Sequence, residues 1–150
     1  MKPSVIITTS SWYTTLPDTH CRIGISRATP RGQPGGYRRY AALFPGAWFN
    51  SVPADEYVRR YQEEVLSRLD PQKTIDELVA LASGRIPALL CFEAPEPGDD
   101  FCHRALVSCW LHETLGLEVL EFGQEHHGFG ASHPKLPPHT RRPMRVSVQS

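Results

Sequence analysis

The residue types best suited to chemistry are concentrated in one short stretch of the chain. Cys91 and Glu93 are separated by one residue, and Cys102, His103 and Arg104 follow after a short interval. A carboxylate next to an imidazole fixes its tautomer and raises its pKa, which suits proton transfer. A thiol beside a histidine or at a helix N-terminus ionises more readily and becomes a nucleophile. These residue types predict that Glu93, Cys102 and His103 are catalytic. They predict that Cys91 and Arg104 bind the ligand.

The local sequence places these residues at the edge of a parallel sheet. Residues 86–92 form a nearly continuous apolar run, typical of a strand covered on both faces, so we expect Cys91 to be packed rather than reactive. Residues 101–115 have helical periodicity, with His103 on the apolar side facing the sheet. A strand over residues 117–122 completes a strand–helix–strand unit, whose strands are parallel. In such sheets ligands bind at the carboxyl ends of the strands, where the following helices begin.

The remaining hydrophobic patterns complete one α/β domain. β-Branched residues predict two early strands, and apolar residues at helical spacing, bounded by prolines, predict one short helix and two longer ones. These elements are expected over residues 4–10, 21–26, 37–43, 53–69 and 71–82. The predicted fold class is a single α/β domain, residues 1–123, with a mainly parallel sheet and helices on both faces. Residues 124–150 are rich in Gly, His and Pro, and we expect an extension that follows the surface or is partly disordered.

Polar residues also follow the predicted ends of the two early strands. Ser10 ends the first strand, Ser26 and Arg27 end the second, and Arg31 lies in the loop beyond. If the strands are parallel, these residues converge on the same edge as Arg104. Arginine side chains bind anionic oxygens well. We therefore predict a binding site for an anionic ligand at this edge, with a nucleotide or nucleic-acid-derived compound as one possibility, although the sequence has no phosphate-binding glycine motif.

Composition limits the classes of function. Sixteen basic residues balance sixteen acidic ones, so the chain lacks the basic surplus that a diffuse attraction to nucleic acid or anionic membrane requires. Its apolar runs are too short for a membrane span or a signal peptide. The four cysteines do not have the spacing of a secreted disulfide framework. We expect a cytoplasmic protein with reduced thiols and no membrane partner, and no cofactor is predicted.

Other interpretations of these residues stay open. Cys91, Glu93, Cys102 and His103 are ligand types for zinc or iron, although the usual zinc spacings are absent. Cys91 and Cys102 could form a redox pair if their Cα atoms lie within about 7 Å. A Glu93–His103 contact could also simply tie the helix to the strand. The sequence does not decide the oligomeric state, or whether the domain is an enzyme or a non-catalytic module that binds protein or nucleic acid through its arginine-rich loop and basic tail.

The cysteine motifs resemble a known family. Leu-Leu-Cys-Phe-Glu at 89–93 and Cys-His-Arg at 102–104 resemble the signature of the family catalogued as domain of unknown function 488, in which Cys-x-Glu ends a strand and Cys-His-Arg opens the next helix. The resemblance spans roughly residues 4–123. The chain departs from the family at residues 7–11, which lack the usual glycine, and at 24–27, where many members have Asp-Val-Arg. Because the family has no assigned reaction, the resemblance implies a fold and a site only.

Overall fold

A five-stranded parallel sheet forms the centre of the molecule. The strands are β1 (Thr8–Ser11), β2 (His20–Gly24), β3 (Arg38–Arg39), β4 (Ile86–Cys91) and β5 (Leu120–Glu121). The helices are α1 (Ala54–Glu64), α2 (Pro71–Ala82) and α3 (His103–Leu115), with short 3-10 helices at Ala41–Leu43, Leu66–Arg68, Glu125–His127 and Gly130–Ser132. The computed structural model describes residues 5–143. The sheet order is β3-β2-β4-β1-β5, and each neighbouring pair of strands is parallel. None of the helices in this range has the length and hydropathy of a membrane span.

The boundaries of α2 and the end of α3 follow from their capping residues. The Asp70 side chain accepts hydrogen bonds from the backbone N–H groups of Gln72 (2.9 Å) and Lys73 (3.2 Å), and Pro71 takes the first helical position. Gly116 ends α3 with a φ of 71°, a left-handed conformation that glycine adopts without a steric penalty. Both helices lie where the sequence predicts them.

All three helices pack against one face of the sheet. Side chains alternate along β4, so Leu89 and Cys91 join the main core with the helices, whereas Ala88 and Leu90 face the other way. The other face is covered by side chains from the segments that follow β1 and β2: Trp12, Leu16 and Tyr37. The single α/β domain with a parallel sheet is confirmed. The helices do not lie on both faces as expected, because the segments connecting β1 to β2 and β2 to β3 contain no helix.

The segment before α1 differs from its prediction. The sequence predicts a short helix over residues 37–43, but the structure has the edge strand β3 followed by the 3-10 helix Ala41–Leu43. Within β3, Arg39 lies opposite Gly24 of β2, and its guanidinium donates a hydrogen bond to the carbonyl oxygen of Arg27. A strand of two residues is too short to show the alternation by which strands are recognised in a sequence.

The described part of the C-terminal segment, residues 123–143, packs against the start of α3. Lys135 is fully buried. Its carbonyl oxygen accepts a hydrogen bond from the backbone N–H of Cys102 (2.9 Å), and its ammonium group donates to the carboxylate of Asp100 (2.8 Å). Much of the predicted extension therefore touches the helix that carries the candidate site, while residues 144–150 lie outside the described residues.

A buried ionic network joins α3 to β5 and to this C-terminal segment. The guanidinium of Arg104 donates two hydrogen bonds to the carboxylate of Glu121, from Nε (2.9 Å) and from Nη2 (2.8 Å). The Thr9 hydroxyl donates to the same carboxylate (2.7 Å), and Nε2 of His133 lies 2.7 Å from the Thr9 hydroxyl oxygen. All four side chains are almost completely buried, so each charge depends on its partners.

Lowering the pH should destabilise the fold through this network. Burial lowers the pKa of His133 from 6.5, so the unfolded chain takes up a proton that the folded chain does not. Burial alone would raise the pKa of Glu121, but hydrogen bonds from His133 and Arg104 and the Arg104 charge hold it below 4.5. The stabilisation from His133 is therefore complete above pH 6.5 and that from Glu121 above pH 4.5, and each is lost as the pH falls through the folded pKa. Urea unfolding over a pH series measures this loss.

A paired substitution separates the network from general charge effects. Glu121→Gln leaves the Arg104 charge buried without its partner and should lower the free energy of unfolding at neutral pH by about 3–5 kcal/mol. Glu118→Gln, at an exposed position nearby, should change it by less than about 0.5 kcal/mol. Equal effects of the two substitutions would show that the network does not stabilise the fold as described.

Candidate functional site

Cys91, Cys102 and His103 form a buried thiol–imidazole cluster at the carboxyl edge of the sheet. Cys91 is the last residue of β4, Cys102 is the N-cap of α3, and His103 is the first residue of that helix. The Cys91 Sγ lies 3.7 Å from Nδ1 and 3.6 Å from Nε2 of His103, and the Cys102 Sγ lies 3.9 Å from Nδ1. The three residues are at most 5% exposed. His103 faces the sheet, as its place in the helical pattern predicts.

The carbonyl oxygen of Ile25, just beyond β2, fixes the tautomer of His103. It lies 2.7 Å from Nε2, and because a carbonyl oxygen only accepts hydrogen bonds, Nε2 carries the proton. Nδ1 is therefore free to accept a proton from a thiol. The imidazole also packs against the ring of Tyr61, with centroids 5.3 Å apart. The ring is thus held by β2 on one side and by α1 on another.

Cys102 is the thiol of the cluster that ionises first. Burial alone would raise the pKa of Cys102. This effect is outweighed by the hydrogen bond with Cys91, the charge of Arg104 and the neighbouring His103, and the pKa lies well below its ordinary value. The N-terminal end of α3 favours a thiolate at this position too. Burial and the hydrogen bond with Cys102 raise the pKa of Cys91. Cys91 therefore stays a thiol and donates a hydrogen bond to the Cys102 thiolate.

The carboxyl group of Glu93 is near Cys102 and is not hydrogen-bonded to His103. Burial and the nearby charge of Cys102 raise the pKa of Glu93 to about 7. Nε2 of His103 is already bonded to Ile25, and within residues 5–143 no hydrogen bond joins Glu93 to His103. The expected Glu93–His103 pair is corrected accordingly. The physical reason is that β4 ends at Cys91, so strand alternation no longer directs the Glu93 side chain.

Arg104 supports the cluster from behind and does not face a ligand. Its guanidinium is fully buried and paired with Glu121, and Nη2 also donates to the carbonyl oxygen of Glu93 (2.8 Å). Arg104 is not among the residues that line the pocket beside the cluster. The expectation that it holds an anionic ligand is therefore corrected: Arg104 anchors the loop after β4 and supplies positive charge to Cys102.

A pocket of about 370 Å³ opens onto the cluster. All three cluster residues line it, and among the described residues its charged lining side chains are Glu93 and Arg27. Its remaining walls are mostly apolar and aromatic: Pro45, Phe49, Val52, Tyr57, Phe92 and Phe101. Burial, followed by the nearby charges of the two cysteines, raises the pKa of Tyr57, so this phenol stays neutral. The pocket can enclose a small molecule with an apolar body.

Two of the predicted ligand-binding residues, Ser26 and Arg27, line this pocket. The Ser26 hydroxyl accepts a hydrogen bond from Nε1 of Trp12 (2.9 Å) and donates to the carbonyl oxygen of Ala28 (2.6 Å). The Arg27 side chain donates from Nη1 to the carbonyl oxygen of Pro45 (3.1 Å). Ser26 is therefore occupied by the protein itself, whereas the exposed Arg27 keeps donors for a ligand.

The other two predicted residues, Ser10 and Arg31, lie away from the cluster. Arg31 is exposed and does not line the pocket. Ser10 is fully buried in β1 opposite Leu90, so its side chain lies on the sheet face opposite to Cys91. Convergence of strand ends brings their backbones to one edge, but strand alternation and loop conformation decide which side chains meet. Neither Ser10 nor Arg31 belongs to the candidate site.

Comparison with known proteins assigns the chain to a family. Residues 7–115, from just before β1 to the end of α3, match the family model DUF488-N3a, described as the active DUF488-N3 subclade. The chain belongs to this family. No match was found among curated proteins or among solved structures. The DUF488-N3a match contains the whole thiol–imidazole cluster and Glu93, but it ends before Glu121, the partner of Arg104.

The sulfur atoms of Cys91 and Cys102 and a ring nitrogen of His103 are also close enough together for a metal ion. One ligand atom from each of Cys91, Cys102 and His103 lies within 4.8 Å of the others, which is the spacing that draws attention to a metal. A zinc ion on Nδ1 would lie about 2.0–2.1 Å from that nitrogen, along its lone pair, and about 2.3 Å from each sulfur. The Cys91 Sγ is nearly equidistant from the two ring nitrogens. The Nε2–H bond to the Ile25 carbonyl leaves Nδ1 as the ring nitrogen that a metal ion could use.

Sequence reasoning missed the aromatic wall of the pocket. The sequence assigns Tyr57 to the buried face of α1, yet its ring borders the pocket and meets Phe101 edge to face, with centroids 5.0 Å apart. Nothing in the spacing connects these two positions, because they meet only when α1 packs beside the start of α3. The one available signal is that an aromatic residue directly precedes the Cys-His-Arg motif.

Iodoacetamide should alkylate Cys102 faster than the other cysteines at neutral pH, because the thiolate is the reactive form. The rate constant at Cys102 should rise much less than tenfold per pH unit between about pH 6 and pH 8, since its pKa is held well below the ordinary value of a thiol. Cys109 is an internal control, because burial and the charge of Glu113 raise its pKa to about 12, so its rate should rise about tenfold per pH unit. Peptide mass mapping after timed exposures gives both rates. A tenfold rise per pH unit at Cys102 would contradict the ionisation described.

Proposed function

We propose that this DUF488-N3a protein is a small thiol-dependent enzyme that acts on an anionic small molecule bound at the carboxyl edge of its sheet. The observation that carries the proposal is the position of Cys102. Its sulfur lies at the N-cap of α3 and lines a pocket of about 370 Å³, with a second thiol and an imidazole as neighbours. Reactive cysteines are found in this kind of electropositive surrounding, where the thiolate is stabilised before the substrate arrives.

Cys102 is the nucleophile and Cys91 is not. Cys102 stands at the end of α3 where free backbone N–H groups and the helix dipole favour an anion. Cys91 stands at the end of a buried strand and is the hydrogen-bond donor of the pair. The carbonyl oxygen of Ile25 accepts a hydrogen bond from Nε2–H of His103 and holds the ring in place. Nδ1 is therefore the atom of His103 that can take up a thiol proton. These roles need no movement of the backbone.

Glu93 is the proton carrier of the proposed reaction. It lines the same pocket as Cys102, so a proton can pass between the carboxyl group and the ligand beside the attacking sulfur. Its carbonyl oxygen is held by Arg104, which fixes the loop and hence the approach of the carboxyl group. A general acid or base works best when its geometry is fixed in this way and its proton is close to the reacting atoms.

The pocket favours a flat, mostly apolar ligand with one anionic group. Arg27 is the cationic side chain among the described residues that line it, so a ligand with several phosphate groups would find too few partners. Aromatic rings on the pocket walls offer stacking surfaces of about the right size for a single ring system. The description of the matching subclade as active agrees with an enzyme. The arginine-rich loop supports the non-catalytic alternative less well, because backbone carbonyl oxygens of this loop accept hydrogen bonds from Arg22 of β2.

Charged and neutral alkylating agents test the role of Arg27. Iodoacetate carries a negative charge and iodoacetamide does not, and both react with the same sulfur. The ratio of their rates at Cys102 should fall by about threefold to tenfold in Arg27→Gln, the loss expected for one charge-assisted contact of up to about 1.4 kcal/mol. Arg31→Gln, outside the pocket, should leave the ratio unchanged. An equal fall in both variants would mean that the effect is one of net charge.

Aryl esters test covalent catalysis. Exposure to p-nitrophenyl acetate should acetylate Cys102, and turnover should be lost in Cys102→Ser but kept in the matched variant Cys109→Ser. Glu93→Gln should slow release of the acetyl group, because water then lacks its proton acceptor. Intact-mass measurements over time follow the adduct. Turnover that persists in Cys102→Ser, or a Cys102 that is never acetylated, would refute the proposed reaction.

A further inference from the structure

A second thiol, that of Cys91, lies beside the nucleophile and does not itself react with the substrate in the reaction proposed above. The sulfur of Cys91 lies within 4.8 Å of the sulfur of Cys102, and both sulfurs lie within 4 Å of a nitrogen of the His103 ring. The other two cysteines are remote from the cluster: Cys21 is in β2 beneath α2, and Cys109 is on the far side of α3. Only one pair of thiols in the described residues is therefore close enough for direct chemistry.

Both sulfurs can be reached through the same pocket. Cys91 and Cys102 line it together with Glu93 and His103, and its volume of about 370 Å³ is ample for a hydroperoxide. A thiolate at the base of an accessible pocket is the form of cysteine that hydroperoxides oxidise first. A thiol next to it is the usual partner that resolves the product.

We infer that Cys91 is a resolving thiol, and that Cys91 and Cys102 form a reversible disulfide when a hydroperoxide enters the pocket. The inference rests on the reactive Cys102 of the proposed function. It adds a redox site to that function, with hydroperoxides as the oxidant and a dithiol as the reductant that restores the enzyme.

The steps balance in atoms and electrons. The Cys102 thiolate attacks the distal oxygen of the hydroperoxide, the O–O bond breaks, and the leaving alkoxide or hydroxide takes a proton from Glu93, giving a Cys102 sulfenic acid. The Cys91 sulfur then attacks the Cys102 sulfur, and the thiol proton and the hydroxyl group leave together as water. A dithiol reduces the disulfide by two exchange steps and becomes a disulfide itself.

The fold allows the two sulfurs to meet. Cys91 ends β4 and Cys102 begins α3, and residues 92–101 between them form a loop. A disulfide needs the sulfurs about 2.05 Å apart, so the two side chains have to rotate toward each other from a separation of at most 4.8 Å. The backbone N–H of Cys102 is bonded to Lys135, which keeps that end of the loop in place while the side chains turn.

Hydrogen peroxide and peptide mass mapping test this inference on the full chain. After treatment and blocking of free thiols, the wild-type protein should give a Cys91–Cys102 disulfide that dithiothreitol removes, with Cys21 and Cys109 still reduced. In Cys91→Ser, Cys102 should be trapped by dimedone as sulfenic acid, and its irreversible sulfinic acid should increase several-fold. Cys109→Ser, the matched control, should behave as wild type.

The outcomes separate this inference from the proposed function. If reduced Cys102 is alkylated selectively but peroxide converts it to sulfinic acid without a disulfide to Cys91, Cys91 is not a resolving thiol and the proposed enzyme still stands. If a disulfide forms but neither Cys102 alkylation nor acetylation is selective, the redox pair stands and the catalytic proposal fails. Because the wild-type measurement needs no variant, a folding defect in Cys91→Ser leaves the test decisive.

Discussion

The ion pair between Arg104 and Glu121 holds the candidate site in place. It is completely buried, and desolvating two charges costs several kcal/mol for each ion unless further hydrogen bonds satisfy them. Here the Thr9 hydroxyl bonds the carboxylate, and the carbonyl oxygen of Glu93 bonds the guanidinium. One arginine thus connects β1, β5, α3 and the loop after β4. Moving any of these elements would leave a buried charge without its partner.

The same guanidinium shapes the electrostatics of the cluster. Arg104 follows His103 at the start of α3, and its charge stabilises the Cys102 thiolate through the low-dielectric interior. The helix dipole acts in the same direction, and Cys91 supplies a hydrogen bond. The two thiols, although close together, therefore differ in protonation. Cys102 is ionised, and Cys91 stays protonated and is its donor. This asymmetry allows a nucleophile and a resolving thiol to share one pocket.

The parts of the structure that depend on periodicity could be predicted from the sequence. The apolar run of β4, the capped helix α2 and the orientation of His103 all follow from spacing along a single element. The parallel sheet follows from the strand–helix–strand order. The strand–helix–strand order does not decide whether helices cover one face of the sheet or both. The face that each connection covers depends on which strands are neighbours, and the β1–β2 and β2–β3 connections contain no helix.

Contacts between elements could not be predicted in the same way. Glu93 lies in a loop, so the rule that residues two apart share a face fails there, and its carboxyl group makes no hydrogen bond to His103 in the described residues. Arg104 has the residue type of an anion-binding side chain, but its partner Glu121 comes from β5 and is far away in the sequence. Arg27 and Arg31 look alike in the sequence, yet only Arg27 lines the pocket. Each of these outcomes is decided by packing between elements.

Both the proposed enzyme reaction and the proposed disulfide depend on a stabilised Cys102 thiolate in the folded protein. Ultraviolet absorbance of the thiolate during a pH titration measures it directly, with Cys102→Ser as the comparison. One thiol of the wild-type protein should titrate well below the ordinary cysteine range, and this transition should disappear in Cys102→Ser while the others are kept. A wild-type titration with no thiolate below the ordinary range, or a low transition that survives in Cys102→Ser, would show that Cys102 is not a stabilised thiolate.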